Sequence, residues 1–145
     1  MTKNPKIRVV WIDDIRNPGS QLSIWVNTQW KRYVPEEFLN AYHDADYKAE
    51  VVWLKSYDEW LKWVVETWHQ EDDDEYINCF CLDHDLGSYD KDGNEKTGVD
   101  VAKDIIDELI ISGRKMPYYE CHSSNPAGKD NILSVFESFK KHFCQ

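Results

Sequence analysis

Short apolar, β-branched runs alternate with stretches of helical periodicity along this chain, and several runs end abruptly in polar residues. Ile7 to Ile12 is apolar except for Arg8, which suits a strand covered on both faces. Val51 to Leu54 predicts a second, shorter strand. Ser56 followed by Glu59 has capping-box spacing, and Trp60, Leu61, Val64, Val65 and Trp68 then predict the apolar stripe of a helix. Ile77 to Leu82 is a third strand, and an acidic loop from Gly87 to Lys96 follows it. Thr97 is placed to cap a helix lined by Val101, Ala102, Ile105, Ile106, Leu109 and Ile110, with Gly113 as its stop. Met116 to Cys121 predicts the fourth strand. Asn125 and Pro126 read as cap and first turn of a last helix bearing Ile132, Leu133, Phe136, Phe139 and Phe143.

Strands alternating with helices imply right-handed βαβ units and a parallel sheet flanked by helices. The segment from Gln21 to Lys48 fits this scheme least. Pro35-Glu36-Glu37-Phe38-Leu39 starts a plausible helix, but Trp25, Trp30, Arg32 and Tyr33 show no clear period. Packing of an inserted subdomain is the simplest role for these aromatics, with stacking on a nucleobase as the alternative.

At 145 residues the chain has the size of one domain with a substantial core. Its net charge of −10 argues against a nucleic acid duplex as partner. No apolar run reaches membrane length, and the first residues lead into a strand rather than a signal peptide. Cys79, Cys81 and Cys121 fall inside predicted strands, where a free thiol behaves as a small hydrophobe. A reducing, cytoplasmic setting is the expectation.

The chemistry-bearing residues follow the strands. Asp13, Asp14 and Arg16 come after the first, Asp83, His84 and Asp85 after the third, and His122, Ser123 and Ser124 after the fourth. Strand C-termini are the edge on which parallel α/β sheets build their sites. Each group has an ordinary alternative: Asp13 and Asp14 as a turn, Asp85 as a cap, His84 on the surface, His122 as a core histidine. Their convergence on one rim favours a site. A zinc set of Cys81, His84, Cys121 and His122 is disfavoured, because neighbouring strand residues face opposite ways. His43, His69 and His142 have no such context and are expected to face solvent.

Asp13, Asp14 and Asp83 resemble the acidic pocket of response-regulator receiver domains, and Thr97-Gly98 resembles the start of the helix that follows it. The receiver lysine at the end of a fifth strand has no counterpart, and His84 and His122 are additions. With those departures the pattern resembles the cyclic-phosphate processing receiver-like family, through Ile12 to Pro18, Leu82 to Gly87, Thr97-Gly98 and His122 to Gly128. The resemblance covers Lys6 to Pro18 and Val51 onward.

The resemblance implies an α/β, flavodoxin-like three-layer sandwich with a mainly parallel four-stranded sheet in order 2-1-3-4, lacking the fifth receiver strand. It implies one domain over residues 1–145 with an insertion at about residues 20–49. Its implied activity is processing, most simply hydrolysis, of a cyclic phosphodiester such as a cyclic nucleotide. The alternatives are a noncatalytic sequestering module and a phospho-accepting receiver with Asp83 as acceptor.

On this reading His84, His122 and Asp83 are the catalytic candidates, since imidazoles can carry the proton steps near neutrality. His84, between two carboxylates, is the better candidate acid and His122 the candidate base, with the reverse order left open. Arg16, Ser123, Ser124, Asn125 and Lys129 are expected to bind the substrate, partly through the start of the last helix. Asp13, Asp14, Asp83 and Asp85 would repel an anion unless they hold Mg²⁺ or Mn²⁺, hard cations that favour carboxylate oxygens.

Overall fold

The computed structural model describes residues 6–16, 18, 21–22, 35–41 and 49–143. The order is β1 (Lys6–Ile12), β2 (Gln21–Leu22), α1 (Glu36–Ala41), β3 (Ala49–Leu54), α2 (Tyr57–Glu66), β4 (Tyr76–Leu82), β5 (Ser88–Tyr89), β6 (Glu95–Lys96), α3 (Gly98–Ser112), β7 (Tyr118–Cys121) and α4 (Pro126–Phe143). The main sheet runs β2-β3-β1-β4-β7. Its four longer strands are parallel, in the expected order 2-1-3-4 when counted along the chain. The short β2 adds an antiparallel edge beside β3, with Gln21 opposite Glu50.

Alternation along the strands sorts the core into two layers. Val10, Ile12, Phe80, Leu82 and Cys121 face α2, α3 and α4, where Trp60, Val101, Ile105, Ile132 and Phe136 complete a buried cluster. Ile7, Val9, Trp11, Cys79 and Cys81 face the other way and meet Phe38 of α1. Trp60 packs edge-on against Phe80 at 5.9 Å, with Trp63 and Trp68 beside them. Truncating such a buried Trp costs about 3–5 kcal/mol in a well-packed core.

The helix signals act largely as expected. Ser56 Oγ accepts the Glu59 N–H at 3.1 Å, although the Glu59 carboxylate reaches back to the Lys55 N–H rather than to Ser56. Thr97 and Asp100 form a complete capping box, and Gly113 ends α3 in the left-handed region at φ 66°. Asn125 Oδ1 caps α4 through the Gly128 N–H at 3.0 Å.

Four readings change. Leu61 and Val65 are exposed, and Trp63 takes the buried place beside Trp60. The helix ends at Glu66, so Trp68 reaches the core on a separate 3-10 turn rather than on the same stripe. The loop after Gly87 holds a two-stranded hairpin, β5 with β6, turned at Gly93 with φ 82°. His69 is half exposed yet bound to Glu108 at 2.5 Å. Trp25, Trp30, Arg32, Tyr33, His43, Lys48 and Cys144 lie outside the described residues.

Without a strand beyond it, β7 is an edge of the sheet among the described residues. The Glu120 carboxylate accepts the N–H of Cys121 at 2.9 Å, occupying a donor that could recruit another strand.

Candidate functional site

The C-terminal strand ends are laced together by the backbone. The Asp13 N–H bonds Leu54 O, Asp83 N–H bonds Ile12 O and His122 N–H bonds Leu82 O. Lys55, Asp13, Asp83 and His122 therefore form one row across β3, β1, β4 and β7, just past the last paired residues.

Asp13 is the best-held carboxylate of the rim. Oδ1 accepts the N–H groups of Ile15 at 2.9 Å and Arg16 at 3.0 Å. Oδ2 accepts from Arg16 Nη1 at 3.1 Å and lies 2.9 Å from His122 Nε2. Burial alone would raise its pKa, but hydrogen bonds from His122, Arg16 and Ile15 outweigh burial and hold Asp13 well below the usual carboxylate range. Asp83 moves the other way, raised chiefly by burial and then by the charge of Asp13. Its Oδ1 accepts the following N–H, that of His84, at 2.9 Å.

Asp13, Asp14 and Asp83 each offer an oxygen, all within 4.8 Å of one another. Arg16 Nη1 stands 3.1 Å from Asp13 and 3.9 Å from Asp83, a protein cation already drawn to the cluster. Hard oxygen donors in this arrangement fit Mg²⁺ or Mn²⁺. Asp85 is outside the group: its carboxylate is largely exposed and holds His84 Nδ1 at 2.8 Å.

The two imidazoles occupy different settings. His84 is partly exposed and packs against the first turn of α4, where a Cβ on Gly128 would come within 2.4 Å of its Cγ. Gly98 clamps the same segment from α3: its N–H bonds His84 O at 2.9 Å, and a Cβ there would sit 2.1 Å from the Asp83 carbonyl oxygen. The glycines of the Thr-Gly and Asn-Pro-Ala-Gly motifs are thus explained by the close passage of Asp83 and His84 under two helix starts. The His122 side chain, by contrast, is 0% exposed and lies parallel to the Trp11 ring, 3.9 Å between centroids.

The helix start itself has few donors left. Pro126 has no N–H, Asn125 Oδ1 takes that of Gly128, and Lys129 N–H bonds Asn125 O. Ser123 Oγ accepts the Asn125 N–H at 3.1 Å, and Ser124 is exposed. Lys129 lies close enough to Cys121 for its charge to act on the thiol, which burial pushes up to about 11.

Three neighbours were not singled out from sequence. Trp11 supports His122, Trp53 donates its indole N–H to the Asp13 carbonyl at 2.7 Å, and the Lys55 ammonium rests 4.3 Å from the Trp53 ring centroid. Alternation was the available signal, since Trp11 and Asp13, like Trp53 and Lys55, are two residues apart and share a face.

A parallel sheet in this order, with three carboxylates gathered at its C-terminal edge, defines a receiver-like domain. The chain belongs to the cyclic-phosphate processing Receiver domain family, whose profile it matches over residues 8–138. Neither a curated protein nor a solved structure gives a match. Among the described residues no helix is long and apolar enough to cross a membrane.

Proposed function

We propose that this domain binds a cyclic phosphodiester, most simply a cyclic nucleotide, and opens it by hydrolysis. The observation that carries this reading is the clamped pair Asp83-His84: one residue contributes to the three-carboxylate cluster, and the next presents a partly exposed imidazole. Water adds to phosphorus and gives up one proton, one ring P–O bond breaks, and the departing oxygen takes a proton from the His84 imidazolium, giving a phosphomonoester; the proton shed by the water restores His84 through solvent.

Asp85, as an acceptor at Nδ1, keeps a proton on that nitrogen, so the proton that His84 donates and regains is the second one, carried on Nε2. Asp13, Asp14 and Asp83 are the residues to hold Mg²⁺ or Mn²⁺, which when bound would offset the charge of the phosphoryl oxygens. Arg16, Lys55 and Lys129 supply further positive charge, with Ser123, Ser124 and Asn125 bordering the ligand.

The test is incubation with 2′,3′-cyclic, 3′,5′-cyclic and cyclic oligonucleotides, with Mg²⁺, Mn²⁺ or EDTA. Ring opening that disappears in His84→Ala and with EDTA is the expected result. Tight binding with ligand recovered intact would mean sequestration instead. Labelling by acetyl phosphate that is lost in Asp83→Asn would mean a phospho-accepting receiver.

A further inference from the structure

We propose that His122 is a positioning residue that acts through Asp13 rather than on the ligand. The assignment rests on the cation-site reading given under Proposed function. With its ring 0% exposed, His122 has no surface on which a phosphodiester could sit. One face is covered by Trp11, at 8° between ring planes. The Trp11 indole N–H is itself anchored to the Arg16 carbonyl at 3.0 Å.

Nε2 lies 2.9 Å from Asp13 Oδ2, and that carboxylate already accepts from the Ile15 and Arg16 N–H groups and from Arg16 Nη1. The proton on this hydrogen bond therefore belongs to His122 Nε2. The contacts close a loop: Arg16 holds Trp11, Trp11 supports His122, and His122 and Arg16 together fix Asp13. A residue at the end of β7 thereby sets the carboxylate orientation at the end of β1.

Asp13 has little freedom left. Each of its oxygens has two partners, so losing His122 would leave Oδ2 held by Arg16 Nη1 alone and loosen its aim toward Asp14 and Asp83. An imidazole that orients a metal-facing carboxylate works as an outer partner of the site, and loss of such partners typically weakens metal binding about 10–100-fold.

The experiment measures Mn²⁺ affinity by calorimetry, stability by urea unfolding and turnover of a cyclic nucleotide, in wild type, His122→Ala, His122→Gln and His122→Asn. His122→Ala should lose about 10–100-fold in Mn²⁺ affinity. His122→Gln should recover most of it, because its amide N–H can reach Asp13, whereas the shorter Asn should not. Should the Ala variant fail to fold, the contrast of Gln with Asn makes the same comparison.

Equal Mn²⁺ affinity in wild type and all variants would overturn the assignment. So would His122→Gln that binds Mn²⁺ normally yet has lost turnover, which would mark a proton carrier. A wild type that binds no Mn²⁺ overturns it together with the cation site. The expected graded Mn²⁺ response without action on any cyclic phosphodiester would support His122 as assigned and contradict only the proposed activity.

Discussion

At the N-terminal end of β1, Arg8 is 1% exposed and meets Glu71 through two hydrogen bonds of 2.6 and 2.7 Å, with Asn78 Oδ1 at 2.8 Å. Its guanidinium also lies over Tyr76 at 3.9 Å and near Trp63 at 4.9 Å. At the opposite end of the same strand, Asp13, Asp14 and Asp83 share one nearby guanidinium, that of Arg16. Both ends hold buried charge. Among the described residues the Arg8 end balances it one for one, whereas at the Asp13 end three carboxylates outnumber the guanidinium bound to them. A balanced buried pair holds the fold in one arrangement, while a surplus calls for a ligand of opposite sign, a cation that would in turn attract a phosphate.

The contrast can be broken most forcefully at Arg8. Arg8→Leu leaves the Glu71 carboxylate, only 13% exposed, without its partner and should cost about 3 kcal/mol in urea unfolding. It should leave Mn²⁺ affinity in the surviving folded protein unchanged. A weakened Mn²⁺ site in that variant would show that the two ends are not independent.

Gly128→Ala acts at the opposite end. The added methyl collides with the His84 ring, and overpacking of this kind costs about 1–3 kcal/mol. Ring opening should fall much further than stability, because His84 is displaced, while Mn²⁺ affinity should stay near wild type. Parallel kinetics, calorimetry and unfolding would check all three.

The smallest effect is a gain. The raised pKa of Asp83 means that its ionisation disfavours the fold: this contribution to stability is complete below about pH 4, the ordinary carboxylate pKa, and is lost as pH rises through the raised folded value. Asp83→Asn keeps an oxygen for the His84 N–H and removes the repulsion from Asp13. At pH 7 it should stabilise the fold by about 0.5–1 kcal/mol while weakening Mn²⁺ binding. Asp13 has the opposite sign. Its contribution is present above about pH 4 and is lost as pH falls through its lowered value. Urea unfolding across pH in Asp83→Asn and in Asp13→Asn separates the two trends.

What could be read from the chain differs between the two ends for a physical reason. Asp13, Asp14, Asp83 and Thr97-Gly98 were legible because their chemistry is local to strand ends and helix caps, where sequence neighbours are also spatial neighbours. Arg8 was seen only as an interruption of an apolar run, since Glu71 lies 63 residues away and nothing local names it. The His122 bond to Asp13 spans 109 residues, and the supporting Trp11 belonged, by pattern, to the core. The exposure of Leu61 and Val65 followed from rotation of α2, which apolar spacing alone does not set. The hairpin between Ser88 and Lys96 is too short for a hydrophobic period, although its Asp-Gly turn was present.

The central claim is that one cation on the Asp13, Asp14 and Asp83 rim recruits the phosphate that His84 acts on. Phosphorus relaxation of a cyclic nucleotide, measured with Mn²⁺ and the His84→Ala protein so that the ligand stays intact, tests it directly. The account predicts strong paramagnetic enhancement of the bound phosphorus, lost when Mg²⁺ replaces Mn²⁺ and greatly reduced in His84→Ala carrying Asp14→Asn. Nucleotide that binds without enhancement, or enhancement indifferent to Asp14→Asn, would contradict it.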